Sequence, residues 1–188
     1  PIPGAIGGLL RGVSLALVEC AVAFAFAFYL YRSPRKGLAL HAPERRAGVW
    51  LLVSALCAAL LNPLARLAMA LVPATGEAPI EAFISWPSGA LAFALRGMAV
   101  PLAEELFFRG FVFGALEPLG KLWACLGTIV LFASAHAQQA WGNWGALVAV
   151  LTTGVVLTGL RAATGSTLVP AVAHLLYNLS LWKDSFRG

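Results

Sequence analysis

The stretch Val100–Gly114, VPLAEELFFRGFVFG, places three ionisable side chains inside a run that is otherwise apolar. Two of them are the adjacent acids Glu104 and Glu105, and the third is Arg109. Ionisable side chains are rare within membrane-spanning segments because moving a charge into hydrocarbon is costly. If this run crosses a membrane, each of the three therefore needs a structural or a chemical reason.

The composition predicts an integral membrane protein. Of the 188 residues, 60% are apolar and 11% are charged, and the mean hydropathy is +0.84. A soluble domain normally carries about a quarter charged residues. The net charge of +5 does not require a nucleic-acid partner, because basic residues orient membrane segments and no tract resembles a nucleic-acid-binding arm. We expect a single integral membrane domain over residues 1–188, with the lipid bilayer as its surroundings.

The apolar runs predict an all-α, polytopic bundle of about six transmembrane helices with a polar cavity inside it. A span needs roughly 20 apolar residues to cross the hydrocarbon core. The predicted spans are Gly12–Tyr31, Val49–Val72, Ala90–Leu116, Leu122–Ala137, Gly145–Leu160 and Thr167–Trp182. The first run is predicted to be a transmembrane helix rather than a cleaved signal.

Few ionisable side chains fall within the predicted spans, and each is a functional candidate by default. Arg66 and Arg96 are interpreted as snorkelling to the membrane surface or as making a structural pair, and Glu19 in the first span is either neutral or paired with one of them. The other candidates form three helical patterns, on separate apolar runs: Glu104, Glu105 and Arg109; Phe132 and His136; His174 and Asn178.

Spacing along the helix separates the two adjacent glutamates. Glu105 and Arg109 are four residues apart with the acid first, which is the favourable order for an ion pair on one helical face. Glu104 lies about 100° further round the helix, so it points to a different neighbour. His136 shares a face with Phe132, and His174 and Asn178 share a face of the last predicted span. The pattern predicts one self-neutralised glutamate and one glutamate that is free to meet the histidines.

A glutamate and a histidine that meet at one water molecule can act as a general base. A second histidine and an amide can supply hydrogen-bond donors to the oxyanion that forms when the water attacks a carbonyl. The chain has no Gly-x-Ser-x-Gly turn and no cysteine beside a histidine, so a water nucleophile is favoured. These residues indicate hydrolysis of a peptide bond within or beside the membrane.

The three motifs resemble those of the CPBP family, which comprises the CAAX prenyl endopeptidases and the bacteriocin-processing or Abi proteins. They are Glu-Glu-x-x-x-Arg at Glu104–Arg109, Phe-x-x-x-His at Phe132–His136 and His-x-x-x-Asn at His174–Asn178, in the family's order. The resemblance covers a core of about residues 90–182. It implies an intramembrane glutamic endopeptidase that needs no cofactor and acts on a membrane-associated protein or peptide.

The resemblance also implies a role for each motif residue. Glu104 and His136 would activate the water, while His174 and Asn178 would form the oxyanion hole. Glu105, Arg109 and Phe132 would then support the motif. Zinc held by Glu104, His136 and His174 is the nearest alternative, because three such ligands leave a fourth position for water. A non-catalytic immunity or interaction protein and a proton-relaying transporter are further alternatives.

The substrate is the least determined part of the sequence-based account. The Ala-, Gly- and Arg-rich composition favours a bacterial protein of the inner membrane. Bacterial relatives of the family include sorting proteases of the myxosortase type. The positive-inside rule places the Arg32–Arg46 loop in the cytoplasm, and the site would then lie in the outer half of the bilayer. This placement favours a protein with a C-terminal membrane anchor as the substrate.

Overall fold

The computed structural model describes residues 4–43, 46–76 and 97–185, with side chains for 13–43, 46–76 and 97–181. Helices dominate these ranges, and the β-structure within them is one isolated bridge between Ala74 and Asn143. The predicted all-α class is therefore confirmed.

The described helices follow the order of the predicted apolar runs. They are α1 (Gly4–Tyr31), α2 (Pro34–Gly37), α3 (Ala47–Leu71), α4 (Val100–Glu104), a π-helical segment (Glu105–Val112), α5 (Phe113–Leu116), α6 (Lys121–Ala140), α7 (Trp144–Thr164) and α8 (Leu168–Ser185). The segments α4, π-helix and α5 follow one another directly, and together they form what we call the motif helix, residues 100–116.

The predicted count of six spans is not confirmed. Among the described residues, three helices are long and apolar enough to cross a membrane: Val13–Tyr31, Ala47–Leu71 and Trp144–Thr164. The apolar part of α8, Leu168–Leu181, is shorter, and α6 carries polar residues at its end. The helices that bear the site are less apolar because they carry its polar groups. The start of the third predicted span, at Ala90, lies outside the described residues.

The long helices expose large apolar side chains on one face. Leu17 of α1 is 66% exposed and Leu52 of α3 is 67% exposed. The opposite face of α1 is buried, and apart from Glu19 its buried residues are the small ones Ala16, Ala23 and Ala27. Small residues let helices approach closely in a membrane, whereas the exposed face suits contact with lipid tails. The small side chains on this face therefore allow α1 to pack closely against the motif helix.

A short connection after α1 supports the motif helix. Ser33 caps α2, with its hydroxyl accepting a hydrogen bond from the Lys36 N–H at 3.5 Å. Gly37 lies so close to α1 that an added Cβ would be 2.7 Å from the Ala27 Cα. Leu38, which is fully buried, packs on the motif helix at Gly110. This connection therefore fixes α1 and the motif helix relative to each other.

The other half of the described fold is built on α3, α7 and α8. All three pack against one another, and α6 packs on α7. A cluster of buried side chains, Leu157, Leu160, Val169 and Ala173, fills the space between α7 and α8. At the start of α7, Gly145 touches the α3 backbone, since an added Cβ would be 2.5 Å from the Met69 Cα. The bundle thus requires a residue without a side chain at this position.

We predict that Gly145→Ala destabilises the protein whereas Gly159→Ala does not. The new methyl group at position 145 would collide with the α3 backbone, and overpacking of this kind typically costs about 1–3 kcal/mol. Gly159 lies on the same helix with nothing within 4 Å of an added Cβ. Alanine there gains up to about 1 kcal/mol of helix propensity. Thermal unfolding of the two purified variants in detergent checks this, and equal midpoints would contradict the close approach of α3 and α7.

Candidate functional site

The motif helix changes its hydrogen-bonding pattern between the two glutamates. Glu104 is the last residue of α4, and Glu105 is the first residue of the π-helical segment. In a π-helix each N–H bonds to the carbonyl five residues back, so the turn is wider than in an α-helix. Such turns are rare and occur frequently at functional sites. Nothing in the sequence predicts this segment.

Glu105 and Arg109 form the ion pair that their spacing predicts. The Arg109 Nη1 atom lies 2.9 Å from the Glu105 Oε1 atom, and both side chains are completely buried. The other guanidinium nitrogen of Arg109, Nη2, donates to the main-chain oxygen of Gly154 on α7 at 3.3 Å. The guanidinium also lies over the Phe132 ring, 4.3 Å from its centre. The prediction of a self-neutralising pair is confirmed.

Glu105 has a second partner that the sequence-based reasoning missed. Its Oε1 atom lies 2.9 Å from the Nδ1 atom of His174 on α8. An ionised carboxylate can only accept hydrogen bonds, so Nδ1 of His174 is the donor. Glu105 therefore fixes both the ring orientation and the tautomer of His174, and leaves its Nε2 atom turned towards Glu104.

His136 on α6 is oriented in a similar way, although its partner is a main-chain group. Its Nδ1 atom donates to the Phe132 carbonyl oxygen one turn earlier, at 2.9 Å. The Phe132 ring, itself buried, lies 4.5 Å from the imidazole centre to centre. The Nε2 atom of His136 faces Glu104. Both histidines thus have Nδ1 bound within the protein and Nε2 directed at the same carboxylate.

Glu104 lies between the two imidazoles. Its Oε1 atom is 3.5 Å from the His136 Nε2 atom, and its Oε2 atom is 3.9 Å from the His174 Nε2 atom. These separations are longer than a direct N–H···O hydrogen bond. The Glu104 side chain is 14% exposed, whereas that of Glu105 is completely buried. The structure therefore separates the two adjacent acids as the helical spacing predicts.

Asn178, the last motif residue, takes part in none of the contacts described above. It lies one helical turn after His174 on α8 and is partly buried. In the described part of the chain, no hydrogen bond links it to Glu104, His136 or His174. Its role in an oxyanion hole stays a prediction.

A second buried arginine, which the sequence-based reasoning did not single out, forms a hydrogen bond with the main chain of the motif helix. Arg161 of α7 is buried, and its Nε atom donates to the main-chain oxygen of Arg109 at 3.0 Å. Its guanidinium lies 4.6 Å above the Phe113 ring. Because Arg161 sits at the end of a predicted span, the sequence favoured a residue at the membrane surface.

The two arginines that the sequence did single out lie elsewhere. Arg66 forms a hydrogen bond with Asn62 of its own helix at 3.2 Å, and Arg96 lies outside the described residues.

The donor types at the centre of the site also suit a metal ion. Zinc accepts imidazole nitrogen and carboxylate oxygen, and both histidines have the second hydrogen bond that metal-ligating histidines usually make. Over residues 4–43, 46–76 and 97–185, however, no group of three or more His, Cys, Asp or Glu side chains is arranged to hold an ion. In the predicted ligand set, Glu104 lies 3.5 Å from His136 and 3.9 Å from His174.

Comparison with known proteins places these residues in a family. The model of the type II CAAX prenyl endopeptidase Rce1-like family matches residues 85–180, just over half of the chain. The chain belongs to this family. The match includes all three motifs, and it confirms the CPBP relationship that the motifs indicated. It does not distinguish the myxosortase type, which stays a prediction.

One curated relative shares part of the sequence. It is the UPF0177 protein YxdF of Lactococcus lactis, which is 32% identical over 85 residues. The aligned part covers 45% of this chain and 45% of the relative. No solved structure gives a significant match to the chain.

We predict that the two adjacent glutamates differ in their effect on stability. Glu105→Gln would leave the buried Arg109 charge without its counter-ion, and breaking a buried pair in this way costs about 3–5 kcal/mol. Glu104→Gln would lose only long contacts with the histidines and should cost about 1 kcal/mol or less. Unfolding of both variants in the same detergent measures the difference. Equal losses would mean that Arg109 does not depend on Glu105.

Proposed function

We propose that the protein is an intramembrane endopeptidase that cuts a peptide bond in a membrane-associated or C-terminally anchored protein. The observation that carries this proposal is the position of Glu104, whose carboxylate lies between the Nε2 atoms of two oriented histidines. Membership of a family of prenyl endopeptidases supports the same reaction class.

Glu104 and His136 are proposed to activate the attacking water. Their 3.5 Å separation is too long for a strong direct hydrogen bond and is one that a shared water can bridge. The carboxylate would take the proton as the water oxygen attacks the carbonyl carbon. General base catalysis of this kind typically contributes about 10²–10⁴ in rate. His136 would orient the water for this proton transfer.

His174 and Asn178 are proposed to stabilise the oxyanion. Both lie on one face of α8, so their side chains can approach the same oxygen atom from adjacent turns. The contact between its Nδ1 atom and Glu105 holds the His174 ring with Nε2 directed towards the place where the oxyanion would form. Glu105 and Arg109 then act as positioning residues, since neither needs to touch the substrate.

A zinc-dependent reaction at the same residues is the second candidate. The observation that favours it is that both histidines have Nδ1 bound and Nε2 turned to Glu104, which is also how ligands of a zinc ion are held. We favour the metal-free reaction because Asn178 beside His174 suits an oxyanion donor. Activity that survives a strong chelator would support this choice, and loss with specific rescue by zinc would overturn it.

The proposed substrate is a protein of a bacterial inner membrane. The composition and the relative from Lactococcus lactis support a bacterial setting. Three described helices that are long and apolar enough to cross a membrane support a substrate that is itself anchored in the membrane. A sorting reaction that removes a C-terminal anchor fits this setting, as does processing of a bacteriocin-like peptide.

We predict that Glu104→Gln abolishes cleavage and that Asn178→Ala lowers its rate by about 10²–10³. The measurement compares protein termini in membranes from cells that express the wild-type protein or each variant at equal level. Termini that appear only with an active protein identify the substrate and its cleavage site.

Glu117→Gln is the matched control for this comparison. It changes another acid, one that lies just after the motif helix, is exposed and belongs to none of the three motifs. It should cleave as the wild type does. Normal cleavage by the Glu104→Gln variant would rule out the proposed chemistry. A third outcome is that no terminus changes, although the wild-type protein and the Glu104→Gln variant both bind the same partner protein. That outcome would indicate a non-catalytic interaction protein.

A further inference from the structure

Glu19 is a buried acid that none of the roles above uses. It lies within the span Val13–Tyr31 of α1 and its exposed fraction is 7%. Its Oε2 atom is inaccessible and has no hydrogen-bond partner among the described residues. A carboxyl group in such a place is costly unless it is neutral or takes part in function. It therefore requires an explanation beyond packing.

The fold directs Glu19 towards the site. Ala16, Glu19 and Ala23 follow one another at helical spacing and form a buried face of α1. The helix packs with this side against α4 and the π-helical segment, which carry the two motif glutamates. Glu19 is close enough to both Glu104 and His136 to interact with them electrostatically. It is thus a third carboxyl group beside the same site, contributed by a helix outside the motif-bearing core.

Within the described residues, pairing with an arginine does not account for Glu19. The two buried arginines near the motif helix have other partners, Arg109 with Glu105 and Arg161 with the main-chain oxygen of Arg109. Two neighbouring carboxylates in apolar surroundings resist ionising together. Glu104 lies 3.5 and 3.9 Å from two imidazoles that favour its charge, while Glu19 makes no such contact in the part of the chain that the structure describes. We therefore expect Glu19 to carry a proton when Glu104 is the base.

The proposed hydrolysis leaves one proton transfer unassigned. Glu104 removes a proton from the attacking water, and the oxyanion is held by His174 and Asn178, but the amine that leaves must gain a proton. Two carboxyl groups in different surroundings can divide base and acid roles between them. We propose that Glu19 is the general acid of this site, which gives its proton to the leaving nitrogen. This inference rests on the proposed endopeptidase activity.

The proton balance of the reaction closes with these two acids. Water adds to the carbonyl carbon as its proton passes to Glu104. The tetrahedral intermediate then collapses, the C–N bond breaks, and the nitrogen takes the proton of Glu19. The products are a carboxylic acid and an amine. Proton transfer from Glu104 back to Glu19, through solvent in the cavity, restores the starting state with no other reactant.

The test compares two leaving groups in the Glu19→Gln variant. The probes are a peptide that spans the cleavage site found by the terminus comparison and its thioester analogue, in which sulfur replaces the scissile N–H. A thiol with a pKa of about 8.5 can leave as a thiolate, whereas an amine cannot leave without a proton. We expect Glu19→Gln to slow amide cleavage by about 10²–10⁴ and thioester cleavage by less than about tenfold.

Three further variants make the result decisive. Val18→Gln places the same amide on the exposed side of α1 and should leave both rates unchanged. Glu19→Asp keeps an acid and should recover part of the amide rate. Glu104→Gln should stop cleavage of both probes. Full activity of Glu104→Gln would instead contradict the proposed function itself.

The role of Glu19 has its own contradicting results. Equal slowing of the amide and thioester by Glu19→Gln would show a purely structural role. Unchanged rates for both probes would remove Glu19 from the reaction. If Glu19→Gln fails to fold, Glu19→Asp decides the matter, because a proton donor that has been shifted slows the amide more than the thioester.

Discussion

The buried ion pair between Glu105 and Arg109 connects every element that carries a residue of the three motifs. Arg109 reaches α7 through the Gly154 carbonyl and α6 through the Phe132 ring, and its own carbonyl accepts a hydrogen bond from Arg161. Glu105 reaches α8 through the Nδ1 atom of His174. In apolar surroundings neither charge can be left without the other, since an uncompensated buried charge is strongly destabilising. The pair therefore fixes where Glu104, one residue earlier, can point.

Three carboxyl groups in one small region have three different surroundings. Glu105 is neutralised by an arginine, Glu104 lies between two imidazoles, and Glu19 has an oxygen with no partner among the described residues. The surroundings, rather than the residue type, determine what each group can do. In the account proposed here, the first positions a histidine, the second removes a proton from water, and the third returns one to the leaving nitrogen.

Local spacing made part of this site predictable. A separation of four residues was enough to pair Glu105 with Arg109 and to turn Glu104 to another face. His174 and Glu105 are 69 residues apart, and their contact depends on how α8 packs. Neither the residues around Glu105 nor those around His174 indicate it. The π-helical turn and the burial of Arg161 likewise arise from tertiary contacts. Hydrophobicity predicted the all-α fold but not the number of spans, because the helices that bear the site are short or partly polar.

The most direct test of the central role of the ion pair is a double-mutant cycle on Glu105 and Arg109, read as the free energy of unfolding in detergent. Glu105→Gln and Arg109→Gln are measured singly and together, with Glu104→Gln and Arg109→Gln as the parallel cycle. The account predicts that the double variant recovers much of the loss of either single variant, with a coupling of about 2–3 kcal/mol. The parallel cycle should show a clearly smaller coupling. Additivity of Glu105→Gln and Arg109→Gln within about 0.5 kcal/mol would contradict it.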